Sequence, residues 1–372
     1  MTVVVSGTGL YTPPEVISNK ELVQSFNKYV DKYNLENHEL IEKETIKALT
    51  YSDEAFIKKV SGIERRHVIN KSGILDPLRL KPSIEKRKNE EPSVQAEIAF
   101  FAAKEALKES GKKAEDIDAV ICACANLQRA YPAIAIEVQD LLGIEGYAYD
   151  MNVACSSSTF ALQNAINDIR AGVADVVLVV NPEICSGHLN FADKDGHFIF
   201  GDVCTALIIE KDRTCNSDIA FEVIDTKLKT VFSNNIRNNF GFLNSSENND
   251  PNDPDKLFIQ QGKKVFKEVV PMVAELIASH LEKNNILTDE VSRLWLHQAN
   301  VNMNLLIAKR LLGREPQDKE LPIVLNDYAN TSSAGSIIAH HNYKDDLKSG
   351  ELGVICSFGA GYSAGSIILK KV

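Results

Sequence analysis

Residues 116–126 read DIDAVICACAN, and residues 290–300 read EVSRLWLHQAN. Each runs from an acidic start through an apolar, strand-like centre to Ala-Asn, at an offset of 290 − 116 = 174 residues. Apolar residues at helical spacing precede each stretch, over 96–110 and 265–283, and a second helical pattern follows each into Leu-Leu-Gly, at Leu141-Leu142-Gly143 and Leu311-Leu312-Gly313. The register then continues. Cys155-Ser156-Ser157-Ser158 falls opposite Asn330-Thr331-Ser332-Ser333 (330 − 155 = 175), and both halves close on a strand after Phe-Gly, at Phe200-Gly201 and Phe358-Gly359. Landmarks in one order at nearly one offset mark a duplicated unit. Strands alternating with helices predict an α/β protein with mainly parallel sheets covered by helices on both faces. The seam lies near 211–217, which gives halves over 1–213 and 214–372. A stretch rich in Pro, Lys and Glu at 68–93 has no counterpart in the second half and reads as a surface insertion, while SSENNDPNDPD at 245–255 reads as a loop.

A chain of 372 residues, 44% of them hydrophobic, can bury a large core. The formal net charge of −10 argues against nucleic acid or an anionic membrane as the main partner, so an anionic partner needs a local basic patch. No apolar run reaches spanning length and the first residues lack a basic leader, which reads as a cytoplasmic protein. Seven cysteines without paired spacing are not a disulfide framework. Cys122 and Cys124 share a strand face, but no second pair of ligands accompanies them, so no metal site is expected.

The duplication gives meaning to VACSSSTF at 153–160, which joins a strand pattern to a helical one. Open α/β sheets carry their sites beyond the C-terminal ends of strands, and Cys155, His297 and Asn330 all stand there. In the repeat, His297 takes the place of Ala123 and Asn330 that of Cys155, a pattern suited to one site assembled across the pseudo-twofold axis. A helix N-terminus lowers a thiol pKa through its positive partial charge, which favours Cys155 as a nucleophile. An imidazole and a carboxamide can both donate hydrogen bonds to a carbonyl oxygen without adding charge. The turn Gly359-Ala360-Gly361 offers backbone N–H groups to an oxyanion. Read singly, Cys155 is a packing residue, His297 a satisfied strand-end histidine, and Asn330 a helix cap.

These residues resemble the 3-oxoacyl-(acyl carrier protein) synthase III family of the thiolase superfamily. The resemblance spans nearly the whole chain, through VSGTGLYTPPEVISN, FIKKVSGIERRHVI, VACSSSTFAL, FIFGD, LHQAN, ANTSSAGS and FGAGYSAGS. It implies a five-layered αβαβα fold, a homodimer, and a decarboxylating condensation with no metal or redox cofactor. Cys155 would take an acyl group from acyl-CoA, with the backbone N–H groups of Cys155 and Ala360 holding the oxyanion. His297 and Asn330 would then stabilise the enolate formed as malonyl-(acyl carrier protein) loses carbon dioxide. The resemblance further places Phe56 against the coenzyme adenine, Tyr131 across the dimer at the acyl pocket, and Lys194 near the coenzyme phosphates. Lys263, Lys264, Lys267, Lys309 and Arg310 would face the acidic carrier protein.

The chain departs from the family's usual pattern at Val60 and Asn302, where many members carry arginine, at Ala360 in the last turn, and in the insertion. These departures leave open the primer's length and whether coenzyme A delivers it. Two rivals stand beside this reading: an acyltransferase that passes the acyl group to a hydroxyl or amine without decarboxylation, and a non-catalytic partner subunit. Retention of Cys155, His297 and Asn330 speaks against the second.

Overall fold

The long elements follow the doubled order. The first half contributes β1 (Val3–Tyr11), α1 (Val94–Ser110), β2 (Ala119–Ala123), α2 (Ile134–Leu142), β3 (Tyr147–Met151), α3 (Ser157–Ala171), β4 (Val176–Ile184) and β5 (Asp202–Lys211). The second contributes β6 (Phe221–Ser233), α4 (Gly262–Lys283), β7 (Val291–Leu296), α5 (Val301–Leu312), α6 (Gly335–Asn342), β8 (Leu352–Gly359) and β9 (Gly361–Lys371). The computed structural model describes residues 1–248, 250 and 253–372, so part of the polar stretch at 245–255 lies outside the described residues.

The strands join in the order β7-β8-β9-β6-β1-β5-β4-β2-β3, with the halves meeting where β1 pairs with β6 through Val4 and Val5. The α/β class and the duplication hold, but the sheet is mixed rather than mainly parallel. Among the described residues, parallel pairing between strands of this sheet is confined to β2 with β3, β2 with β4, and β7 with β8. Parallel neighbours need a crossover long enough for a helix. The strand after Phe-Gly returns without one: β8 ends at Gly359 and β9 starts at Gly361, so the two pair antiparallel, as do β4 and β5. The second half also has no counterpart of β3, since near 321–325 the chain turns into the short helix Leu325–Tyr328.

Packing produces five layers. In the middle, Leu162, Ile166 and Ile169 of α3 and Ile337 and Ile338 of α6 are fully buried between Ile121, Val179 and Leu207 on one side and Trp295, Ile355 and Ile367 on the other. Small alanines of α1 let that helix lie close on Val120, Leu178 and Ile208. Val273 and Ile277 of α4 and Ile307 of α5 cover Leu294, Val354 and Ile368. Each half is thus a sheet with its own outer helices, and α3 and α6 form a shared inner layer.

A fourth cluster, with Ile17, Ile57, Ile63, Phe191, Phe198 and Phe200, caps the sheet end where the strands finish. The insertion at 68–93 is anchored here at its start: Ile74 is fully buried, Asn70 caps the helix Lys71–Ile74, and the Ser25 hydroxyl donates to the Leu75 carbonyl at 2.8 Å.

Candidate active site

The three serines after Cys155 sit at the seam of the two halves, each fully buried and each bonded. Ser156 Oγ donates to the Ser363 carbonyl (3.1 Å), Ser157 Oγ to the Ala154 carbonyl (2.7 Å), and Ser158 Oγ to the Ser333 carbonyl (2.8 Å). Buried hydroxyls with partners stabilise modestly and cost little, whereas an orphaned one costs more. The bonds to Ser333 and Ser363 tie the start of α3 to the second half. They hold Cys155 just ahead of the first turn of the helix, where Ala154 adopts a left-handed backbone (φ 47°).

Gly359 makes the close approach possible. A Cβ there would lie 2.6 Å from Cys155 Cβ, closer than real Cβ atoms come, and 3.0 Å from its sulfur. Cys155, His297, Asn330 and Gly359 all line one cavity of about 530 Å³, walled by Phe198, Phe200, Phe258 and Phe358. This convergence is what the repeat led us to expect.

The electrostatics of the thiol differ from the sequence expectation. Burial pushes Cys155 up to about 11. The Ser332 hydroxyl, 3.5 Å from the sulfur, and the backbone N–H groups of Ala360 and Cys155 all act in the other direction without overcoming it. The helix terminus favours the thiolate, but the partial desolvation of this half-buried side chain on the cavity wall outweighs it. The two N–H groups expected to form an oxyanion hole both favour negative charge at the sulfur.

His297 follows the end of β7, its N–H donating to the Cys356 carbonyl at 2.8 Å and its ring set edge-on to Phe358 at 5.2 Å. Burial drops its pKa to about 4, so the ring is neutral at physiological pH. Its Nδ1 is buried without a partner among the described residues. Asn330 is fixed by backbone bonds to Ile199 and Gly201, and its Oδ1 accepts the Ser332 N–H at 2.8 Å. With the oxygen taken, the amide –NH2 is the end free to donate to a ligand. Ala329 (φ 57°) and Ser332 (φ 50°) flank it in the left-handed region, so three of the six non-glycine residues with this conformation among the described residues lie beside Cys155 or Asn330. Such strain gathers where a fold over-determines a site.

The peripheral expectations divide. Lys263 lines the cavity mouth beside Gln260 and Phe266. Lys264 and Lys267 are exposed on α4, and Lys309 and Arg310 are exposed on the neighbouring α5, although Lys309 is engaged by Glu315. Phe56 does not reach the cavity: its helix contributes Val60 and Ser61 instead, and Phe56 packs edge-on to Phe198 at 6.4 Å. Lys194 also points elsewhere, donating to Thr50 Oγ1 at 2.9 Å, while the adjacent Asp195 lines the cavity. Tyr131 is 85% exposed. Cys356 is fully buried, with its thiol pushed up by burial, and does not line the cavity. Sequence reasoning missed Ser332 and Glu183, the latter a fully enclosed carboxyl at the end of β4. The acidic residue inside VVLVVNPEI, where a buried strand should carry none, was the available signal.

Comparison with known proteins agrees with this geometry. The family model for 3-oxoacyl-[acyl-carrier-protein (ACP)] synthase III matches residues 149–230, and the model for its C-terminal part matches residues 281–371. A beta-ketodecanoyl-[acyl-carrier-protein] synthase of Pseudomonas aeruginosa is 58% identical over 349 residues, 94% of this chain and 100% of the relative. A beta-ketoacyl-[acyl-carrier-protein] synthase III of Bacteroides thetaiotaomicron is 27% identical across 99% of this chain and 96% of its own. The crystal structure of the synthase III of Aquifex aeolicus, 25% identical, superposes with a TM-score of 0.76 over 100% of both chains. A duplicated thiolase-like sheet, a cavity shared by Cys155, His297 and Asn330, and identity of this extent together place the chain in the 3-oxoacyl-(acyl carrier protein) synthase III family of condensing acyltransferases.

Proposed function

We propose that the protein joins a medium-chain acyl primer to malonyl-(acyl carrier protein), releasing carbon dioxide and giving a 3-oxoacyl carrier thioester. The observation that carries this reading is the meeting of Cys155, His297 and Asn330 on one aromatic-walled cavity. The Cys155 sulfur attacks the thioester carbonyl of the primer, and the N–H groups of Cys155 and Ala360 receive the negative oxygen of the tetrahedral intermediate. Coenzyme A leaves and the acyl group stays on sulfur. The malonyl thioester carbonyl then lies against the neutral His297 and the Asn330 amide, whose hydrogen bonds stabilise the enolate as carbon dioxide departs. The enolate carbon attacks the acyl-Cys155 carbonyl, and the sulfur leaves. Neither step needs a metal or redox cofactor. The aromatic walls exclude water that would otherwise hydrolyse the acyl-enzyme.

The primer's length is proposed from the relative's name. A 3-oxodecanoyl product contains two carbons from malonate, so its primer has eight. A second cavity of about 420 Å³, with Val153, Val231 and Phe232 in its walls, is also lined by Ala154 and Ala360, the chain neighbours of Cys155 and Gly359, and is suited to the tail. Phe232 is 88% exposed in the single chain, and β3 ends the sheet with an open edge. Both features favour a homodimer paired through β3, in which exposed Tyr131 of one protomer reaches its partner. The basic residues of α4 and α5 would receive the carrier protein. Among the described residues no helix is long and apolar enough to cross a membrane, which accords with work in the cytoplasm.

Mass spectrometry of the intact protein after incubation with acyl-CoA thioesters of graded length tests the reading. The expected result is a single adduct on Cys155, strongest with the eight-carbon donor and discharged by malonyl-(acyl carrier protein) with release of carbon dioxide. An adduct discharged only to hydroxyl or amine acceptors would favour the simple acyltransferase. Absence of any adduct would overturn the proposal.

A further inference from the structure

Glu183 stands next to the site, yet no step above uses it. It is 1% exposed. Both carboxylate oxygens accept the Ala125 N–H, at 3.1 and 3.2 Å, and Oε1 also accepts the Ser333 N–H at 3.0 Å and the Ser333 hydroxyl at 2.5 Å. One carboxylate therefore ties the end of β2 to the turn that carries Asn330. The neighbouring hydroxyl in that turn, Ser332 Oγ, donates to Cys155 Sγ at 3.5 Å and stands close enough to the same carboxylate to favour its charged form. A thiol, a hydroxyl and a carboxylate thus stand in series, with the hydroxyl held by a backbone of positive φ.

We propose that Glu183 is the positioning residue that accepts the proton of the Cys155 thiol, through Ser332, when the primer is loaded. The Ser332 hydroxyl, which at rest donates to the sulfur, turns to the carboxylate, and the S–H proton passes to Ser332 Oγ as the Ser332 O–H proton passes to Glu183. The sulfur electron pair forms the new C–S bond, the bond to the coenzyme sulfur breaks with its electrons, and the departing thiolate takes a proton back through Ser332. Glu183 ends ionised as it began, and the sum is acyl-CoA plus thiol giving acyl-enzyme plus free coenzyme A.

Two further facts agree. His297, held near 4 by burial, is a weak proton acceptor at neutral pH. Burial brings Glu183 up to about 7, where a group exchanges protons most readily under working conditions. The ionisable groups that feel its charge are the thiols of Cys155, Cys124, Cys185 and Cys204, with Asp202 beyond Cys185 and the His297 ring against the Ser332 backbone.

The inference rests on acylation of Cys155, so the test reads that step alone: single-turnover loading from octanoyl-CoA, followed by quenched mass spectrometry from pH 5.5 to 9. In the unaltered protein the rate should fall as pH drops through about 7, as the acceptor fills with its own proton. E183Q should lose that limb and slow by roughly 10²-fold at neutral pH. S332A should do the same with Glu183 in place, and the double variant should be no slower than either single one. A uniform loss that leaves the limb unmoved, unaltered profiles in both variants, or losses that multiply in the double variant would overturn the inference while leaving Cys155 as nucleophile. Failure of the unaltered protein to load from any donor would remove both readings.

Discussion

At the scale of single residues, the site depends on how near Gly359 lets the last turn come to Cys155. An alanine at this position must push either the sulfur or the Ala360 N–H out of line, because its Cβ would fall 2.6 Å from Cys155 Cβ. Displacement of that size commonly costs about 10² in rate, so G359A should load primer about 10²-fold more slowly, as quenched-flow mass spectrometry would read. A loss under threefold would mean that the turn relaxes without affecting the oxyanion donors. His297 and Asn330 make a contrasting prediction. They act on the malonyl carbonyl, so H297A and N330A should each cut decarboxylation by roughly 10²- to 10³-fold and leave primer loading within a fewfold of normal. Loading and release of labelled carbon dioxide, followed separately, distinguish the two. The thiol is where residue-level reading of the sequence went wrong. Position before a helix argues for a low pKa, but burial belongs to the packed molecule and dominates here.

At the scale of elements, strand and helix order was legible because each half repeats the other, and two imperfect copies reveal a pattern that one copy leaves ambiguous. Strand direction was less legible. The strand after Phe-Gly is as apolar as its parallel neighbours, and only the absence of a helical pattern between β8 and β9 marks the reversal. Cys155, His297 and Asn330 could be read because they interrupt the repeat, whereas Phe56 and Lys194 rested on resemblance alone and turn to other partners. The basic face of α4 and α5 yields a prediction at this scale. Lys263, Lys264 and Lys267 are exposed beside the cavity mouth on a protein of net charge −10. Reversing two of them, K264E with K267E, should raise KM for malonyl-(acyl carrier protein) about tenfold and leave KM for the acyl-CoA primer nearly unchanged. Added salt should weaken the unaltered enzyme's carrier KM in the same direction and affect the variant less. Equal effects on both substrates would place the carrier elsewhere.

At the scale of the whole molecule, folding buries histidines that the unfolded chain would protonate in mild acid. Burial holds His188, His197, His280 and His297 each near 4, below the usual 6.5. Between those values the unfolded chain binds protons on these rings and the native chain does not, so stability rises with pH. Two enclosed carboxyls oppose this: Glu183 is raised to about 7 and Asp202 to about 6, so the native state keeps protons there that the unfolded state gives up. His340 is lowered further still by burial, so five rings against these two carboxyls leave the unfolded chain with roughly three more bound protons near pH 5.5, and the sign is set by the histidines. The melting temperature should therefore climb steadily from pH 4.5 to 6.5 and level off above 7, as differential scanning calorimetry in buffers of matched ionic strength would show. Replacing His188, which packs among Phe200 and Phe258 with both ring nitrogens unpartnered among the described residues, by phenylalanine should flatten that climb by about one proton. A melting temperature that falls over this range would mean that the carboxyls outweigh the rings, and that the polar cluster around Glu183, rather than the buried imidazoles, governs how the fold responds to acid.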